Sequence, residues 1–315
     1  HTYAEGENDA WCAARAAVGA VDGTAFYFGG GQCGDGCSCC KRDDPSYCDN
    51  PVRGADFIEL SAQRRLEAQK WFDAEVNVFI ISMPNDPKRR REMVFKMAQQ
   101  NITFQFSMGV NLSKPGEYQA AKQSGLVPPS FNISQAQSFS DVGIRGTVGC
   151  ALAHRRAMGS AISKARWTGR PLVLVLEDDA ELVVDFKVKV HKLLHSEVPC
   201  DWEVLSLFSR CPHGRCVSPH LHRVAPNVNV PAEQCHSGSN WMALGMLYQA
   251  ERLPRVRSKL RQAQWNPRRP LCLDVDVALA SISDAVAYYA VSWNLRPGFM
   301  WTNPVSSDRA DINYA

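Results

Sequence analysis

Residues 171–182 read PLVLVLEDDAEL. After Pro171 come five unbroken apolar residues, Leu172 to Leu176, and then three adjacent carboxylates, Glu177, Asp178 and Asp179. A strand that is apolar at every position is covered on both faces, as in parallel sheets flanked by helices. Carboxylates placed side by side repel one another, and each raises its neighbours' pKa unless something neutralises them. The stretch therefore predicts a central strand that runs directly into a charged site.

The flanking sequence supports a layered α/β fold. From residue 75 apolar runs alternate with helical spacing: strand NVFIISM (77–83), turn PNDPK, helix RRREMVFKMAQQ (89–100) and strand ITFQFSMGV (102–110). Helix TVGCALAHRRAMGSAISKA (147–165), strand LVLVLE, helix ELVVDFKVKVHKLLHSE (181–197) and strand WEVLSLF (202–208) follow. Such alternation predicts a mainly parallel sheet covered by helices. In open sheets of this kind, ligands bind beyond the carboxyl ends of the strands, which is where Glu177, Asp178 and Asp179 fall. A divalent cation, Mg²⁺ or Mn²⁺, would remove the repulsion and leave positions for phosphate oxygens. The competing reading is that Asp178 or Asp179 caps the next helix, a task for one acid rather than three.

The chain has 315 residues, a net charge of +3, and 45% hydrophobic and 21% charged residues. That balance gives no electrostatic argument for nucleic acid or an anionic membrane. No apolar run approaches the ~20 residues of a membrane span. The first residues also lack the basic-then-apolar pattern of a signal peptide, so the chain reads as soluble, in a mature or trimmed form. Twelve cysteines suit disulfides in an oxidising compartment or a zinc protein. The sequons at Asn101, Asn111 and Asn132 favour the former, in the endoplasmic reticulum or Golgi lumen or secreted.

Residues 1–70 stand apart, with Cys33, Cys37, Cys39, Cys40 and Cys48 in a Gly- and Asp-rich run and then a helical stretch, DFIELSAQRRLEAQKWF. A disulfide-stapled segment is the favoured reading there over a zinc site. His1 raises copper binding only as a minor alternative. CPHGRCVSPHLHRV (211–224) has zinc-like spacing, but an oxidising compartment favours a Cys211–Cys216 disulfide with exposed histidines. Trp241, Trp265, Trp293 and Trp301 could stack on sugars, although core packing is the commoner use of tryptophan.

Three motifs resemble glycosyltransferase family 25 in order: VFIISMPNDPKRRREM with ITFQFSMGVN, then GTVGCALAHRRAMGSAI, then LVLVLEDDAEL. The second is similar to a Gly-Cys-x-x-Ser-His helix, with Ala153 in place of the serine, so a hydroxyl contact is missing. The first strand, IISMP, also departs from the expected Ile-Asn-Leu. Weaker similarity extends through SGSNWMALGMLYQAERL, LCLDVDVAL and LRPGFMWTNPVSSDRADI, covering about residues 76–312. The resemblance implies a GT-A fold at 75–315, with a Rossmann-like nucleotide-sugar half near 75–185 and an acceptor half near 186–315. It implies Mn²⁺-dependent transfer of a hexose, galactose or glucose, from a UDP-sugar to a protein or glycan hydroxyl, with inversion. A catalytically silent relative acting as a secreted binding module is the alternative.

Within that implication, Asp179 ligates the metal directly, Glu177 acts through the ribose or a water, and Asp178 supports them. Asp274 and Asp276 of LCLDVDVAL are read as neighbours on one face of a strand. Asp276 is a further metal ligand, and Asp276 or Asp274 is the general base. His154 meets the donor diphosphate or orients the acceptor. Ile81 and Ser82 at the end of the first strand, with Arg90, meet the donor; for Arg90 and Arg91 a solvated helix face explains the charges equally well.

Overall fold

The computed structural model describes residues 62–112, 116–138, 143–209, 214–218, 221–227, 235, 242–269, 271–291 and 299–302. The Cys-rich run, His1, Cys211, Trp241 and Trp293 lie outside the described residues.

Ten strands and eight helices are described: α1 (Ala62–Glu75), β1 (Val76–Ser82), α2 (Pro87–Gln99), β2 (Phe104–Met108), α3 (Glu117–Gln123), α4 (Ile133–Ser138) and α5 (Ile144–Thr168) come first. Then follow β3 (Leu172–Glu177), β4 (Ala180–Leu182), α6 (Phe186–Ser196), β5 (Val204–Ser206), β6 (Gly214–Ser218) and β7 (Leu221–Val224). The last are β8 (Gly245–Gln249), α7 (Leu253–Gln264), α8 (Val275–Ser281), β9 (Tyr288–Val291) and β10 (Met300–Thr302).

Eight strands form one sheet in the order β2-β1-β3-β8-β5-β9-β7-β6. Following the pairings, β1, β2, β3, β5, β9 and β6 share one direction, while β8 and β7 run against them. This is the expected Rossmann-like α/β sheet, mainly parallel in strand direction.

Period two decides what each strand residue touches. Along β1 and β3, Val78, Ile80, Leu172, Leu174 and Leu176 enter one core with Met93 and Met97 of α2 and Phe186, Val190 and Leu193 of α6. Phe79, Ile81, Val173 and Val175 enter the other, with Ala153, Ala157 and Met158 of α5 and Leu253, Val256 and Leu260 of α7. Both faces of β3 are covered, so its apolar run is explained. Burying a Leu or Val side chain contributes about 1.5–3 kcal/mol.

Two expected elements differ. The helix after β3 does not begin at residue 181: Asp178 and Asp179 make a tight turn into β4, and α6 starts only at Phe186. The N-cap of α6 is Asp185, paired with Arg65 of α1, so the acidic cluster caps no helix. The β4 strand instead pairs antiparallel with β10, Ala180 opposite Thr302. Second, LCLDVDVAL is no strand. Asp274 is the N-cap of α8 and Asp276 lies in its first turn. Two apolar–acidic alternations imitate period two, but the apolar residues continue as VALAS, buried all round against the second core and Cys272.

A disulfide joins the buried Cys235 and Cys272, tying the chain before β8 to the lead-in of α8 across 37 residues. Cys200 is also disulfide-bonded. Closing a loop of that length contributes about 4 kcal/mol. Cys235→Ser with Cys272→Ser should lower the urea midpoint accordingly, and an unchanged midpoint would show the bridge to be dispensable.

Candidate active site

The alternation of β3 also disposes its acidic end. Odd-numbered residues face α5 and even-numbered ones face α2, so Glu177 continues towards α5 and Asp178 towards α2. Each meets a partner there. His154 Nε2 donates to Glu177 Oε1 at 3.0 Å, the imidazole only 1% exposed. Arg89 NH1 donates to Asp178 Oδ1 at 3.3 Å.

Helix α5 brings His154 there because its first turns are small. At Gly149 a Cβ would stand 2.7 Å from the Val110 carbonyl oxygen, so only glycine permits the helix to lie this close to the chain leaving β2. Cys150 and His154, four apart, share one face of α5. Their ligating atoms and a Glu177 oxygen all lie within 4.8 Å of one another. Ala153, where a serine was expected, is buried in the second core.

Arg89 is placed by the start of α2. Pro87 occupies the first turn, and Asp86 caps the helix by accepting the Arg89 N–H at 3.0 Å. Its guanidinium lies 3.5 Å from Asp86 and 3.3 Å from Asp178. Burial raises the Asp178 pKa, and the adjacent Ser82 hydroxyl and Arg89 pull it back. Asp179 has less help: burial, then the charges of Glu177 and Asp178, push its pKa up to about 7. Its Oδ1 is buried with no hydrogen-bond partner. Oxygen donors crowded together in this way are of the kind that suits a hard divalent cation.

The N-terminal approach to β8 completes this edge, because β8 runs against β3 with Leu176 opposite Gly245. Glu177 N donates to Leu244 O at 3.0 Å. Two residues earlier Met242 holds a left-handed backbone, φ 81°, and its N–H donates to Asp276 Oδ2. Asp276 is thereby brought to the same sheet edge as the acidic turn, from a helix rather than from the expected strand.

Residues 75–217 match the family described as glycosyltransferase family 25 (LPS biosynthesis protein). Over that stretch the chain is similar to glycosyltransferase family 25. It contains β1, the Gly149–Cys150 helix, His154 and the whole acidic turn; α8, with Asp274 and Asp276, lies beyond it. No curated protein matches the chain significantly.

The matched stretch also holds the candidates Ile81, Ser82 and Arg90. Ile81 stands in register with Glu177, and Ser82 is buried at the end of β1 on the Asp178 side. The Arg90 guanidinium donates to the carbonyls of Met83 and Pro84, bracing the turn after β1. With Pro87, Arg91, Val94, Phe106 and Met108 it lines a groove of about 410 Å³ at the sheet's end. Trp265 is core: it is buried and packs edge-on to Phe131, ring centroids 5.0 Å apart. His222, expected at the surface, is partly buried on β7, and burial pushes its pKa down to about 4. Arg89 was missed. The signal was Asp86 followed by proline and then arginine three positions after the acid, a helix start that turns the arginine back towards its cap.

Proposed function

We propose that the chain is a metal-dependent, inverting hexosyltransferase that moves a sugar, galactose being favoured, from a UDP-hexose to a hydroxyl of a protein or glycan acceptor. The family 25 match over residues 75–217 supports sugar transfer. The observation that carries the metal is Asp179, with a pKa near 7 and a buried, unpartnered Oδ1 beside two further carboxylates.

Asp179 and Glu177 would hold Mn²⁺ (or Mg²⁺), with Asp276 as a further ligand. Once bound, the cation supplies positive charge where the departing diphosphate gains negative charge. Asp178 stays with Arg89, on the other side of the strand. His154 fixes the Glu177 carboxylate, so it is a positioning residue. Asp276 or Asp274 at the start of α8 takes the acceptor's proton, and attack from the face opposite the diphosphate inverts the anomeric carbon. Ile81, Ser82 and Arg90 flank the donor at the ends of β1 and α2. The halves are assigned as nucleotide-sugar binding for 75–185 and acceptor binding for 186–315.

The Cys235–Cys272 bridge and the exposed sequon residues Asn101 and Asn132 fit a lumenal or secreted setting. Among the described residues no helix is long and apolar enough to cross a membrane. The test is a screen of UDP-sugars for hydrolysis and for thermal stabilisation of the full chain, with Mn²⁺ and with EDTA. Mn²⁺-dependent turnover of one UDP-hexose is expected. A chain that neither turns over nor is stabilised by any of them would be a binding module instead.

A further inference from the structure

The acidic turn calls for a hard cation, but the partner set on its α5 side is of a different kind. Cys150 keeps a thiol, His154 offers an imidazole almost wholly removed from water, and Glu177 offers a carboxylate that is 31% exposed on its side chain. The three ligating atoms lie within 4.8 Å of one another. Around a tetrahedral zinc ion, with bonds of about 2.0–2.3 Å, three such donors stand roughly 3.4–3.6 Å apart.

We propose that Cys150, His154 and Glu177 form a second cation site, one for thiophilic divalent ions, with Zn²⁺ as the physiological candidate. Sulfur and imidazole select zinc over manganese or magnesium, which prefer oxygen ligands. Three protein ligands leave a fourth position for water or a donor oxygen. Two of the ligands are preset by the fold: Cys150 and His154 share a helix face, and that helix is held against the sheet by the close approach at Gly149. Binding releases the thiol proton, and Nε2 gives up the proton it donates to Oε1 as the neutral imidazole passes to the tautomer protonated on Nδ1.

Glu177 is shared between this site and the acidic turn, so the two cations compete for it. The inhibitory consequence rests on the catalytic role proposed for Glu177; the site itself does not. Zinc bound by Cys150 and His154 draws Glu177 away from Asp179 and should inhibit sugar transfer, with excess Mn²⁺ restoring it.

The experiment uses the full chain stripped with EDTA and titrated with Co²⁺, whose thiolate complexes show a near-ultraviolet charge-transfer band. The wild type should develop the band and lose it to Zn²⁺. Cys150→Ser should lack it and bind Zn²⁺ about 100-fold more weakly, at least the loss seen when mere outer partners of a metal site are removed. Cys150→Ala serves as a second variant, and unchanged melting in EDTA shows that both fold. No band in the wild type, or a band that persists in both variants, overturns the proposal. A chain that binds Co²⁺ through Cys150 but turns over no donor overturns the enzyme reading and leaves this site standing.

Discussion

Asp179→Asn should abolish sugar transfer and at the same time make the cation-free protein more stable. The loss in kcat is expected to be about a thousandfold, roughly 4 kcal/mol, because the residue removed would hold the charge that stabilises the leaving diphosphate. The gain follows from the raised pKa. Unfolded, the carboxyl titrates near 3.8; folded, burial and the Glu177 and Asp178 charges move it to about 7. An acid whose folded pKa is raised binds its proton more tightly when folded. Its ionisation therefore costs stability from about pH 4 upward, and the cost is complete above about pH 7. Asparagine avoids that cost. In EDTA the variant should match wild type near pH 4 and exceed it by roughly 2 kcal/mol at pH 8, about half of what the full shift would give, since Asp179 is only partly withdrawn from water. Urea unfolding at the two pH values checks this. Mn²⁺ should stabilise wild type but not the variant. If the variant's advantage over wild type is no larger at pH 8 than at pH 4, the crowded carboxylates are not the strained element of this fold.

The residues that could be read from sequence are those whose local pattern has one outcome. The apolar run Leu172–Leu176 admitted only a strand covered on both faces, and the acids after it could fall only at the sheet's mouth. The helical spacing over residues 147–165, inside the observed α5 (Ile144–Thr168), fixed His154 on a defined face. Short segments failed. LCLDVDVAL alternates for too few residues to distinguish a strand from the first turn of a helix, and only burial against α7 and Cys272 decides it. The turn at Asp178–Asp179 and the strand β4 are set by β10, more than a hundred residues away, which nothing local announces. The partner of each carboxylate was hidden for a related reason. Strand parity does say that Glu177 and Asp178 point to opposite faces, but which helix covers which face is a fact of topology. Once α5 and α2 are placed, His154 and Arg89 follow as the natural counterparts of two carboxylates that had seemed equivalent.

That separation predicts a large effect at a residue the acidic motif does not contain. Arg89→Met should destabilise the protein by about 3 kcal/mol at pH 8, because it leaves the Asp178 carboxylate, 9% exposed on its side chain, as a buried charge without its guanidinium. The penalty falls on the ionised form alone. Burial already raises the Asp178 pKa, with Arg89 opposing that rise, so the variant's Asp178 titrates higher still. Folded and protonated, it costs little. The variant should therefore approach wild type at pH 5 and fall furthest behind at pH 8, since an acid with a raised folded pKa loses stability as pH increases. Arg89→Met combined with Asp178→Asn removes both charges and should recover most of the loss, a coupling of more than about 1 kcal/mol between the two sites. Arg89 also lowers the Asp179 pKa through its charge; without it the acidic turn is more negative, and Mn²⁺ should raise the melting temperature of Arg89→Met more than that of wild type. Equal destabilisation at both pH values, or no rescue by Asp178→Asn, would mean that Arg89 braces α2 through Asp86 alone and that Asp178 owes its orientation to strand parity without an ion pair to hold it.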